Sequence, residues 1–112
     1  MNATTKTARA EAIAQCITIA ARHFDLDPFL VKTKGTNTGG RILDCRRILS
    51  FHFNRCGLAL ETIARIWGEK DHWNTETTKK NIRHTHLHGT GKHALLLSRL
   101  PNVPNTLNIS NV

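Results

Sequence analysis

Residues 56–83, CGLALETIARIWGEKDHWNTETTKKNIR, contain two short helical patterns separated by a tight break, and this constrains the fold more than any other stretch. In the first half Leu60, Ile63, Ile66 and Trp67 recur at steps of three and four, so they share one side of a two-turn helix that begins soon after Gly57. Gly68 is expected to end it, because glycine adopts the left-handed conformation of a helix close without a Cβ penalty. Glu69 and Lys70 leave a very short connection. Asp71 can then cap the free amides of a second helix over residues 72–83, with Thr75, Thr78 or Lys79, and Ile82 facing inward. Three threonines in five positions lower the propensity of this helix, and only Trp73 and Ile82 offer large apolar area, so it must lean on its neighbours. Two helices joined in this way read as a helix-turn-helix.

The remaining patterns are helical as well. Ile13, Ile17, Ala20 and Phe24, with Cys16 beside them, form an apolar stripe over residues 6–23 or 24, after a loose start over residues 1–5. Asp27-Pro28 is a helix-start pair, cap then first helical residue, and predicts a short helical turn over residues 28–32 that buries Phe29 or Leu30. Residues 32–40, KTKGTNTGG, have no apolar anchor and read as a basic loop, in which Lys32, Lys34 and Arg41 can lie along phosphates or form part of an ordinary surface. A third helix is expected over residues 41–55. Its apolar side comes from Ile42 or Leu43, Cys45, Ile48, Leu49 and Phe51 or His52, with Phe53 extending it, while Arg46 and Arg47 are candidates for positioning phosphates.

At 112 residues the chain has room for one modest core, and with four Phe, two Trp and no Tyr that core must be mostly Ile, Leu and Ala. The formal charge is +8, and residues 32–83 carry eleven basic against five acidic groups, so the excess gathers around the paired helices and favours an anionic partner. Cys16, Cys45 and Cys56 are odd in number and widely spaced, which argues against a disulfide framework and for a reducing setting; a cytoplasmic location is expected. No segment reads as a membrane span or a signal peptide.

The order of a helix ending in Phe24, then Asp-Leu-Asp-x-x-Leu, a basic loop, an arginine-containing helix, LALETIA and WGEKDH is similar to the C-terminal duplex-binding domain of the bacterial chromosomal replication initiator DnaA, of the Trp-repressor-like helix-turn-helix group. The resemblance covers roughly residues 12–82. It rests on Ala59, Leu60, Ile63, Ala64, Trp67, Gly68, Lys70, Asp71 and His72 against the family's S-L-x-E-I-G-x-x-F-G-x-R-D-H. It implies an all-α fold, a compact helical bundle containing a helix-turn-helix, over residues 1–83. It also implies double-stranded DNA as partner, with Lys70, Asp71, His72 and, more weakly, Trp73 at the major groove, and the loop carrying Lys32, Lys34 and Arg41 at the minor groove. The residues themselves add Asn74 and Thr77 to the major-groove side, and Arg46, Arg47 and Lys80 as phosphate contacts. After His72 the family's Thr-Thr-Val-x-His-Ala is replaced by WNTETT. Trp73 can therefore stack against DNA, fold into the core or meet a protein, and Lys70 lacks the bidentate fork of the family's arginine.

The family's ATPase module has no counterpart in this chain: Gly35, Gly39 and Gly40 lack the Lys-Ser/Thr ending of a phosphate loop, so no nucleotide or other cofactor is expected. Residues 84–112 lie beyond the resemblance and read as a C-terminal extension: a His-rich linker, a Leu-rich helix over residues 92–100 stopped by Pro101, and an irregular tail. His84, His86, His88 and His93 make metal binding a formal possibility, but the polar linker is preferred and no metal site is expected. Leu95, Leu96 and Leu100 can pack on the core or offer a surface for self-association or a protein partner. No nucleophile has an evident base beside it, so an enzyme is not expected. The competing reading is a protein-interaction or regulatory module that retains the helical scaffold without binding DNA.

Overall fold

The alanine-rich N-terminal stretch forms α1 (Asn2–His23), which starts earlier than its apolar stripe does. The computed structural model in which it is seen describes residues 2–33, 40–68 and 73–105. It continues through α2 (Pro28–Thr33), α3 (Gly40–Arg55), α4 (Leu60–Trp67), α5 (Thr75–His88) and α6 (Ala94–Arg99), a compact all-helical bundle with no strand among the described residues.

Asp25 turns the corner after α1 at a φ of 57°, a region that Asp tolerates better than most side chains. Asp27 then caps α2 as expected, its Oδ1 accepting from the Phe29 amide at 2.9 Å. The buried residue of α2 is Val31, whereas Phe29 is 69% exposed and Leu30 39%. A helix of six residues meets the bundle along one edge only, and that edge is set here by Val31, whose carbonyl accepts from Arg46 Nε at 2.7 Å.

The central element is α3, which packs on α1, α2, α4 and α5. Ile42, Cys45, Ile48, Leu49 and Phe53 supply its buried apolar side, and Arg46, Ser50 and His52 are buried among them. Gly57 follows at a φ of 101°, a backbone conformation that favours glycine. Leu58 re-enters the core and α4 buries Ile63, Ala64 and Trp67. Trp67 donates its Nε1–H to Ser50 Oγ at 2.9 Å, which satisfies two buried polar groups at once. Gly68 closes α4 with a φ of 85°.

The helix expected from residue 72 begins instead at Thr75. Its cap is Asn74, whose Oδ1 accepts from the Thr77 amide at 2.9 Å. The helix also runs on past residue 83: the segment expected as a His-rich linker forms its last turn, and Gly89 follows it. The reason is its inner face. Thr78, Asn81 and Thr85 are buried there, three and four positions apart, in the most extensive helix pairing of the described residues, that of α5 with α3. Their side chains bond back along their own helix, Thr78 Oγ1 to Asn74 O, Asn81 Nδ2 to Thr77 O and Thr85 Oγ1 to Asn81 O, at 2.9 to 3.0 Å. Small polar residues thus pack without orphaned hydrogen-bonding groups.

Leu96, Leu97, Leu100 and Val103 join the same hydrophobic core as Cys16, Leu49 and Trp67. Leu96 and Leu100, expected as a possible partner surface, are therefore occupied within the chain, and of the three leucines only Leu95, at 62%, is exposed. Main-chain carbonyls fasten this segment. Pro101 O accepts from His52 Nε2 at 2.8 Å and from Cys16 Sγ at 3.4 Å, and Leu97 O accepts from Arg55 Nη2 at 2.8 Å.

Candidate nucleic-acid interface

Beside the α3–α5 seam lies a cleft of about 340 Å³ lined by Leu43 and Arg47 of α3, by Trp73, and by Thr77, Lys80, Asn81 and His84 of α5. The helical spacing of the last four brings them to one stripe, a turn and a half or less from each other's neighbours. Thr77 is fixed by the cap, its hydroxyl 3.1 Å from Asn74 Oδ1. Arg47 is held across the seam: its Nε donates to Asn81 Oδ1 at 2.8 Å and its Nη1 lies 3.4 Å from Asp44 Oδ1. Nε and Nη1 of the guanidinium are thus held to protein while the side chain keeps 25% exposure. Lys80 is exposed, as are Lys79 and Arg83, and Glu76 is the acidic residue of this helix.

Several expected contact residues are distributed differently. Arg46 is wholly buried and cannot position a phosphate; its Nε is taken by Val31 O, and its guanidinium carbon lies over the Trp67 ring, 5.4 Å from the centroid. Trp73 is 4% exposed, with its Nε1–H donated to Thr78 Oγ1 at 2.9 Å, so it belongs to the core and forms the floor of the cleft rather than a reading head. Arg41 is exposed but leans on the α1–α2 corner, with Nη1 3.2 Å from Phe24 O and 4.0 Å from Asp25 Oδ2. Lys32 is exposed at the end of α2 and lines a separate groove with Ile13 and Phe29. Arg47, Thr77 and Lys80 are brought together, with Asn74 at the cap end. Lys34, Lys70, Asp71 and His72 lie outside the described residues.

Asn81 and His84 were not anticipated in the site, although their positions four and seven residues after Thr77 put them on its side of any helix through that point. His84 titrates below the usual imidazole range, through desolvation first and then the positive charges of Arg47 and His88, with Asp44 opposing. Among the described residues no three His, Cys, Asp or Glu side chains are grouped to hold a metal ion, and no helix is long and apolar enough to cross a membrane. Cys16, Cys45 and Cys56 are free thiols.

Comparison with protein families, with curated proteins and with solved structures gives no significant match. The site therefore has to be interpreted from its own chemistry.

Proposed function

We propose that the protein binds double-stranded DNA, with α4, the connection after Gly68 and α5 acting as a helix-turn-helix. The observation that carries this reading is the convergence of Arg47, Thr77 and Lys80 on one cleft beside the α3–α5 seam, with Lys79 and Arg83 of α5 also exposed. In this arrangement α5 enters the major groove by its N-terminal end. Asn74 and Thr77 stand there as hydrogen-bonding groups, and Lys70, Asp71 and His72 precede them in the chain. Arg47 and Lys80 then meet phosphates on the flank, and Lys32, Lys34 and Arg41 extend the contact along the backbone or into the minor groove. The replication-initiator resemblance supports the same assignment, without its ATPase activity.

Titration of the full chain with random duplex DNA at several salt concentrations tests it. Affinity should fall steeply and log-linearly as salt rises, and selection from a random library should then return a preferred site. Absence of binding even at low salt would sink the proposal.

A second reading, a protein-interaction module, draws on α2. Phe29 and Leu30 are exposed, and Phe29 lines a groove of about 490 Å³ between α1 and α2 together with Ile13 and Ile17. Selection from the random library separates the two readings, since a protein-binding chain of charge +8 can hold random duplex by charge alone but returns no preferred site.

A further inference from the structure

Beyond the cleft, α3, the last turn of α5 and the turn over residues 89–93 border a smaller, half-open cavity of about 110 Å³. Arg47, His84, His88, Lys92 and His93 line it, and Asp44 is the one carboxylate among its lining residues. Gly89 packs closely at its inner wall. A Cβ there would lie 3.2 Å from Thr85 Cγ2 and 3.3 Å from Ile48 Cδ1, so glycine lets the turn sit close to α3 without moving these neighbours.

We infer that this cavity binds a phosphate group, with Arg47 and Lys92 as fixed cations and His84, His88 and His93 as donors that gain charge on protonation. The volume is that of a few water molecules, at about 30 Å³ each, which suits a compact tetrahedral anion rather than an organic ligand. Two permanent positive charges face one negative charge, and that carboxylate already lies 3.4 Å from Arg47 Nη1, so the lining is cationic before any histidine is protonated. Cations are disfavoured by the same balance.

The histidines make the site proton-linked. The groups facing them are His23 from α1, Asp44 and Arg47 from α3, and Lys92 beside His93; the His84 and His88 rings are 5.0 Å apart and those of His23 and His93 5.8 Å. His93, like His84, is held below the usual imidazole range by desolvation first, then by Lys92 and His23, with Asp44 opposing. A bound dianion offsets this mutual repulsion and raises both values. Anion binding therefore takes up protons and tightens as pH falls through the imidazole range. The phosphate can be free or part of a DNA backbone, and the second source alone rests on the duplex-binding proposal.

The test follows the imidazole resonances of the full chain by NMR, first with inorganic phosphate and then with sulfate, whose charge is constant between pH 6 and 8 to a good approximation (about −2 throughout). Saturable shifts are expected at His84, His88 and His93 but not at His86, with sulfate affinity at least about fivefold tighter at the acid end. Lys92→Ala, at an exposed position, should keep the helical circular dichroism and weaken phosphate binding about fivefold or more. His84→Gln should flatten the pH dependence. No saturable shift, equal shifts at His86, or an unaffected Lys92→Ala variant would overturn the inference. Duplex DNA forms the second arm: shifts at the same imidazoles identify a backbone phosphate as the source. Duplex binding with neither these shifts nor phosphate binding overturns the pocket and leaves the duplex proposal standing. Phosphate binding without any duplex binding does the reverse.

Discussion

The guanidinium carbon of Arg46 lies 5.5 Å from the centre of the Trp73 ring, inside the bundle. Trp67 offers a second ring at 5.4 Å, and Val31 O takes the Nε–H at 2.7 Å. A buried cation is tolerable when rings and a carbonyl replace its water, and Arg suits this better than Lys because its charge is spread over a plane. Arg46→Lys should therefore cost about 2–3 kcal/mol of stability in urea denaturation. A phosphate-contacting arginine would instead leave the midpoint unchanged and alter only DNA affinity.

His52 makes folding sensitive to acid. Arg55 Nε donates to its Nδ1 at 3.0 Å, so that nitrogen must be bare, and the proton on Nε2 goes to Pro101 O. Desolvation is the larger cause and the Arg55 charge a lesser one in holding this imidazole below its ordinary value of 6.5, against an opposing contribution from the Pro101 hydrogen bond. A base with a depressed folded-state value contributes stability when neutral. That contribution is complete above 6.5 and is lost as pH falls through the lower folded value. Urea midpoints measured from pH 7.5 downward (roughly the range where imidazole titrates) should decline in that window, and the decline should shrink in His52→Gln.

Thiol labelling should separate the cysteines. Burial pushes the Cys16 and Cys45 thiols up to about 12, whereas Cys56 is partly exposed beside His52. Iodoacetamide on the native chain should modify Cys56 first, with Cys16 and Cys45 reacting only on unfolding, as mass spectrometry of the peptides would record.

Two substitutions on the proposed duplex face should behave differently. Lys80→Ala should weaken binding to all sequences alike and reduce the salt slope by about one. His72→Ala should narrow the gap between preferred and random sites while changing general affinity less. Equal small effects from both, in titrations against the two kinds of duplex, would count against this division of roles.

Physical punctuation made much of the fold legible in the sequence. Asp27-Pro28 and Gly68 mark helix ends whose local chemistry is independent of tertiary context, and α1, α3 and α4 announce themselves by apolar residues at helical spacing. The start of α5 was hidden because Asp71 and Asn74 are both competent caps. The choice of Asn74 accompanies the burial of Trp73 just before it, a packing matter that local propensity does not encode. The end of α5 was hidden for another reason. Its inner face is Thr78, Asn81 and Thr85, so hydrophobic periodicity passes over it, and alternating histidines suggest a linker instead. In the candidate site, Arg46 and Arg47 are adjacent and chemically identical in the sequence. The helix turns about 100° between them, which sends one into the core and leaves the other on the rim of the cleft.

The hydrogen bond from Cys16 to Pro101 spans 85 positions of the chain, and Val103 is wholly buried a little farther on. Helices α1 and α3 can form and pair before the C-terminal segment is made, but the Cys16–Pro101 bond and the burial of Val103 wait for residues 101–103. During translation the core is therefore completed only after that segment has left the ribosome, and the apolar surface it covers is exposed until then.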